Sequence, residues 1–244
     1  MLNLIIADSE LEQVPKEIAN HRVIKFYARR RGRRPTEVIL NSSLHHAAMR
    51  GLPDGDRRGR PDIIHMCLLL AQDTPLNREG LLRTFVHTRN NKVITVDPST
   101  RLPPNFYRFE GLLEHLFLAG KAPPEKPLLS LEDASLTVLI ERLRPKRVIA
   151  FSDRGEPKPI GGAYAGLSKE DEVCVIVGGF PKGDFRSDVV GMADEVVCID
   201  PDLLIAPTVI TKAIYAYEET LGITAARLGR IPRHTEKTED ATTK

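Results

Sequence analysis

Three short runs in the C-terminal half constrain the fold more than anything else in the chain: RVIAF (147–151), EVCVIV (172–177) and EVVCI (195–199). They are apolar at most positions and rich in β-branched side chains, and they do not alternate apolar with polar residues. A strand of that kind has no solvent face and must be covered on both sides. The segments after them are loops rich in glycine, proline and aspartate, and the last leads into a long helical stretch, TVITKAIYAYEETLG (208–222). Strands of this pattern alternating with helices predict an α/β fold with a parallel sheet flanked by helices. LNLIIAD (2–8) adds a further buried strand.

The stretches between are less uniform. LLRTFVHT (81–88) and KVITVD (92–97) predict a hairpin turned by RNN. EVILNSSLHHAAMRG (37–51) predicts a strand, then a helix capped by Ser42 or Ser43 that ends near Gly51. Pro61 suits a first helical position, where its missing N–H costs nothing. The helix that follows, IIHMCLLLAQ (63–72), is apolar nearly all round and is expected to be buried on most sides. Phe109, Leu112, Leu113, Leu116 and Phe117 recur at helical spacing and are closed by Gly120. A Pro/Lys-rich linker (Ala122–Pro127) precedes a helix expected to open with Ser130 and Asp133 and to stop before Pro145. Beyond Gly229 periodicity ends, and residues 229–244 are expected to be disordered.

Composition excludes several classes of function. Of 244 residues, 41% are apolar and 28% charged, as in ordinary soluble proteins. No stretch approaches the roughly 20 apolar residues of a membrane span, and the first residues lack the basic region of a signal peptide. Cys67, Cys174 and Cys198 are far apart in apolar runs, which predicts reduced core thiols in a cytosolic or nuclear protein. His45, His46 and His65 have no HxxxH or paired-cysteine company, so no metal site is expected. The chain has no GxxxxGK[ST], GxGxxG or GxSxG, which removes support for ATP hydrolysis, ordinary dinucleotide binding and serine-hydrolase chemistry.

Net charge is only +2, but the arginines cluster at 29–34, at Arg57, Arg58 and Arg60, and at Arg101 and Arg108. That clustering points to a polyanion, RNA or DNA. In an open parallel sheet, ligands bind beyond the carboxyl ends of the strands. Three loops lie there: the one after Phe151, GGFPKGDF (178–185) and CIDPDLL (198–204). Gly178 and Gly179 come directly off a strand, where glycine permits close approach of a ligand or simply makes a tight turn.

RRGRPDIIHMCLLLAQDTPLN, FVHTRNNKVITVDPSTRLP and VGGFPKGDF together resemble the Nep/Emg family of SPOUT-class ribosome-biogenesis methyltransferases, over nearly the whole chain. The resemblance implies a SPOUT-like domain over residues 1–228 with a C-terminal trefoil knot and a family-specific insertion around 43–120. It also implies a homodimer, with the helix from Thr208 against the partner, in the cytoplasm (nucleolus in a eukaryote). The implied activity is S-adenosylmethionine-dependent methylation of N1 of a pseudouridine in small-subunit rRNA, with a role in subunit assembly. The alternatives are an RNA-binding assembly factor in which methylation is secondary, and a tRNA pseudouridine methyltransferase of the same fold. Ser152, Gly178, Gly179, Gly183 and the stretch Cys198, Ile199, Asp200, Pro201, Asp202 and Leu203 would hold the methyl donor. Arg60 would touch the base or its phosphate, oriented by Asp62, and Arg57, Arg58, Arg101 and Arg108 would bind RNA. Pro104 stands where the family often has another arginine, a contact that Arg29–Arg34 could replace.

Overall fold

The structure, a computed structural model, describes residues 1–231. Its strands are β1 (Leu2–Ser9), β2 (Leu82–Thr88), β3 (Lys92–Val96), β4 (Lys121–Ala122), β5 (Leu129–Asp133), β6 (Arg147–Pro157), β7 (Val173–Gly178) and β8 (Glu195–Cys198). They form one eight-stranded sheet in the order β4-β5-β3-β2-β1-β7-β6-β8. The expected parallel sheet is the half formed by β2, β1, β7, β6 and β8. The edge formed by β3, β5 and β4 is antiparallel, because the hairpins β2–β3 and β4–β5 reverse the chain without a crossover.

The helices are α1 (Arg22–Arg30), α2 (Ser42–Met49), α3 (Pro61–Gln72), α4 (Pro75–Arg78), α5 (Phe106–Ala119), α6 (Leu136–Leu143), α7 (Val189–Met192), α8 (Ala206–Thr220) and α9 (Ile223–Leu228). Strand geometry sends alternate side chains to opposite faces. Leu2, Leu4 and Ile6 of β1 therefore join the larger core, with Ile64 and Leu68 of α3, Phe109 and Leu113 of α5, and Ile210 and Tyr217 of α8. Ile5 and Ala7 point the other way, into a second core with Leu136 and Leu139 of α6 and Val189 of α7. Burying each such aliphatic side chain stabilises the fold by about 1.5–3 kcal/mol, which is why uninterrupted apolar strands sit centrally.

A third, small core belongs to a lobe between Val14 and Leu52, built around Ile24 and Ala28 of α1 and Ala48 and Met49 of α2. The lobe shares only α2 and the turn to Leu52 with the insertion expected around 43–120; α3 and α5 pack into the main core instead.

Several local expectations change. Helix α2 is capped by Asn41, whose side chain accepts from the Ser43 N–H at 3.0 Å, and not by Ser42 or Ser43. The expected strand before it is reduced to a single bridge between Gln13 and Ile39. Ser130 and Asp133 lie in β5, where alternation of Leu129 and Leu131 wins; α6 starts after Ser135, which accepts from the Val138 N–H at 3.3 Å. The linker from Ala122 is the turn of the β4–β5 hairpin. Pro61 and Gly120 behave as expected, Gly120 taking φ 74 at the C-terminus of α5. Helix α3 is less enclosed than expected, since Met66 and Leu70 are exposed. The long helix expected to reach Gly222 ends at Thr220, and residues 223–228, with no assigned element in the sequence, form α9. Of the expected disordered tail, residues 232–244 lie outside the described residues.

Candidate active site

Strand β6 positions the first loop. Its pairing with β8 slips between Phe151 and Glu156, so that both oppose Val197 and the intervening Ser152–Gly155 arches out of the sheet. Gly155 allows this, because a Cβ there would lie 2.6 Å from the Val197 backbone. The second loop leaves β7 at Gly178 and the third leaves β8 at Cys198. All three stand at the carboxyl rim of the parallel half, beside the N-terminus of α3.

Between them lies a cleft of about 340 Å³, within the roughly 300–1,000 Å³ of small-molecule sites. Ser152, Gly178, Gly183, Cys198, Ile199, Asp200, Asp202 and Leu203 line it, as do Arg60 and Asp62. Gly179 and Pro201 do not. A Cβ on Gly179 would lie 2.3 Å from Ser9 Oγ, so this glycine serves the packing of β7 on the end of β1. Pro201 points into solvent from the third loop. At Gly178 a Cβ would meet the Phe180 ring at 2.5 Å, and Gly183 holds φ +80, a conformation that excludes most L side chains. Of the three cysteines, Cys67 and Cys174 are core thiols that burial pushes up to about 12. Cys198 is different, half-buried at the cleft with its thiol 3.2 Å from the Asp200 carbonyl oxygen.

The pattern of the chain did not expose the remaining walls. Ile63 and Met66 from α3, and Leu204 to Pro207 with Val209 at the start of α8, supply apolar surface. Phe180 stands edge-on to Phe185 with 5.3 Å between ring centroids. Arg154 reaches Asp184 at 2.9 Å and so ties the first loop to the second. Five carboxylates (Asp62, Asp153, Asp184, Asp200 and Asp202) and two cations (Arg60 and Lys182) line the cleft, which favours a cationic ligand.

Arg60 and Asp62 form a two-point pair, Nε to Oδ1 at 2.9 Å and Nη2 to Oδ2 at 2.7 Å. Two parallel bonds fix a guanidinium in direction as well as place. The same bonds raise the Arg60 pKa further above its ordinary value. The backbone N–H of Arg60 donates to the Glu10 carbonyl oxygen at 2.8 Å, which pins this end of α3 to the chain leaving β1.

Arg57 and Arg58, expected at an RNA surface, turn inward. Arg57 donates from Nε to Glu10 at 2.6 Å and from Nη1 to the Asp184 carbonyl oxygen at 2.7 Å, with its guanidinium carbon 4.1 Å from the Phe180 ring centroid. Arg58 pairs with both oxygens of Glu12, at 2.7 and 2.8 Å. Arg89 completes the group by donating to Glu10. These arginines hold the second loop and the approach to α3 against β1. Asp8, at the end of β1, does the same for the far end of that loop, accepting from the backbone N–H groups of Arg186 and Ser187 at 2.6 and 2.8 Å. Glu10, Glu12 and Asp8 carry no local sequence signal; only the tertiary pairing reveals them. Arg101 and Arg108 remain exposed, with no carboxylate in ion-pair range among the described residues. The described residues include no group of three or more side chains able to hold a metal ion, and no helix long and apolar enough to cross a membrane.

The chain is similar to known proteins along most of its length. A family model described as EMG1/NEP1 methyltransferase matches residues 4–218. The chain is 50% identical over 220 residues to the ribosomal RNA small subunit methyltransferase Nep1 of Pyrococcus furiosus, covering 89% of this chain and 96% of that protein. It is 43% identical to the Methanothrix thermoacetophila protein of the same name over 219 residues, 89% of this chain and 96% of the other. Among solved structures, Archaeoglobus fulgidus Nep1 bound to S-adenosylhomocysteine superimposes with a TM-score of 0.79 at 32% identity, covering 89% of this chain and 97% of that one.

Proposed function

Because the chain belongs to the EMG1/NEP1 methyltransferase family, we propose that it methylates N1 of a pseudouridine in a loop of small-subunit ribosomal RNA, with S-adenosylmethionine as donor. One observation carries this: the Arg60–Asp62 pair and the glycine-lined rim open into the same cleft. The donor, when bound, supplies an electrophilic methyl carbon on a sulfonium cation. The residues fit it. Gly178 and Gly183 let the second loop close around the Phe180 ring and the Arg57 guanidinium, the excess of carboxylates favours a cation, and Ile63, Met66 and Leu204 shed water from the reacting centre.

The acceptor nitrogen gives up its proton to water at the mouth of the cleft as it attacks, and the base carries negative charge at that moment. Arg60 remains cationic throughout the physiological range and stabilises that charge in place. Asp62 engages both carboxylate oxygens in holding Arg60, so its role is orientation, and a general-base role is the weaker alternative. A stacked, paired base cannot place its N1 inside the cleft beside Arg60, which favours a looped target over a duplex.

Two further parts of the proposal rest on the fold. β8 returns to the far side of β6 from β7, an order that supports a threaded, knotted C-terminal segment. Leu70 on α3 and Tyr215 on α8 leave large apolar surfaces exposed outside the cleft, which supports a homodimer that covers them.

The test is transfer of a labelled methyl group to a pseudouridine-containing rRNA hairpin, its uridine twin and a matched tRNA stem-loop. Label entering the pseudouridine rRNA hairpin alone is expected. Equal labelling of the uridine twin, preference for the tRNA, or no labelling would overturn the assignment.

A further inference from the structure

A second groove, of about 520 Å³, lies on the basic lobe and shares no lining residue with the cleft. Phe26 and Arg30 of α1, Leu44 of α2 and Tyr107 of α5 line it. Phe26 and Tyr107 leave 62% and 61% of their surfaces exposed. The Arg30 guanidinium lies 5.8 Å from the centroid of the Phe26 ring. Between Arg22 and Arg34 the chain carries seven cations and no acid. Two are engaged, Arg31 with Glu114 and Arg34 with Glu37. Arg22, Lys25, Arg29, Arg30 and Arg33 have no carboxylate in ion-pair range among the described residues.

The platform is held firmly. Tyr27 donates its hydroxyl to Glu110, Asn41 donates to the same carboxylate at 2.9 Å, and Arg31 meets Glu114 at 2.8 Å, so α1 and α2 are clasped to α5 by buried polar contacts. It is also connected to the active site. His65, one turn into α3 from Arg60 and Asp62, stacks on Phe109 with centroids 4.4 Å apart and hydrogen-bonds the Pro103 carbonyl oxygen through Nε2 at 2.8 Å. Arg101, Tyr107 and Arg108, all exposed, lie within two residues in the chain of Pro103 and Phe109, the two residues that His65 touches.

Exposed aromatic rings among unpaired guanidinium groups suit a chain that offers both flat bases and phosphates. A protein partner would instead meet a lobe whose charge is nearly all of one sign. We propose that this groove binds single-stranded RNA flanking the target loop, with bases stacked on Phe26 and Tyr107 and phosphates met by Arg29, Arg30 and Arg108. This extends, and rests on, the assignment of an RNA substrate.

The experiment measures affinity by fluorescence anisotropy for three RNAs: a minimal target hairpin, the hairpin with single-stranded extensions on both sides, and the same extended RNA with abasic extensions. The native protein is expected to prefer base-bearing over abasic extensions by about tenfold, in line with base–aromatic stacking. The Phe26→Ala/Tyr107→Ala variant loses that preference, while Phe26→Trp/Tyr107→Phe keeps it. The salt dependence stays unchanged in the alanine variant, because no cation is removed. Methyl transfer to saturating minimal hairpin also stays unchanged. No preference in the native protein, or a preference that survives the alanine substitutions, would overturn the inference and leave the groove to a protein partner. Failure of the native protein to bind or methylate the minimal hairpin would instead count against the substrate assignment itself.

Discussion

The arginines after Asp56 and those between Arg22 and Arg34 look alike in the sequence, yet the fold uses them in opposite ways. Arg57 and Arg58 retain only 12% and 11% of their side-chain surface exposed, against carboxylates of Glu10 and Glu12 exposed by 0% and 3%. Arg29 and Arg30 stand in water on α1 with no acid beside them, as Arg101 and Arg108 do near α5. Arg60, between the two extremes at 31%, is oriented by Asp62 and left open to the cleft. Local arginine density therefore signals a polyanion only where partners are missing. Where buried acids wait on a neighbouring strand, the same residues are internal ties.

The largest effect is expected on the buried side. Glu10→Ala strands Arg57 and Arg89 without their shared carboxylate, and loss of one partner in a buried pair costs about 3–5 kcal/mol. Urea unfolding is expected to show a loss of that order, and a loss under about 1 kcal/mol would mean that these arginines find water as readily as the surface ones.

Acid probes the buried root of the basic lobe. Burial holds the His45 imidazole down at about 4 against an ordinary 6.5, so the unfolded chain takes up its proton first. The stabilisation from keeping His45 neutral is whole above about pH 6.5 and is lost as pH falls to about 4, at up to about 1.4 kcal/mol per pH unit. His87 is shifted in the same direction, chiefly by burial, and adds to the trend. Unfolding curves across that window are expected to be flatter for His45→Gln than for the native protein; identical slopes would place the acid sensitivity elsewhere.

The smallest stability effects belong to the exposed cations. Arg101→Ala and Arg108→Ala are expected to change unfolding free energy by no more than about 0.5 kcal/mol, while each lowers the salt-dependence slope of RNA binding by about one. A change in slope without a change in stability separates them from Arg57 and Arg58; a stability loss like that of Glu10→Ala would erase the contrast.

What could be seen in the chain followed from local physics. Apolar β-branched runs gave the central strands, the RNN turn gave the β2–β3 hairpin, and Pro61 and Gly120 marked the helix ends they form. The three rim loops were legible because strands of a parallel sheet put their ligand loops at one end. Helix α1 was hidden, since Val23, Ile24, Tyr27 and Ala28 make only a short apolar stripe among cations. Ser130 misled because cap-forming residues also sit in a strand when Leu129 and Leu131 alternate around them. The acids at 8, 10 and 12, the packing role of Gly179 and the walls from Phe180 and Val209 depend on contacts between distant segments, which no periodicity encodes.

The central claim is that Arg60 performs a chemical task while its neighbours Arg57 and Arg58 hold the scaffold. Single-turnover methyl transfer by Arg60→Ala to the pseudouridine hairpin, at saturating RNA and donor, tests it most directly. The rate is expected to fall by about a hundred- to a thousandfold, with the unfolding midpoint and hairpin affinity close to native. A native rate, or a rate loss that more RNA restores, would contradict it.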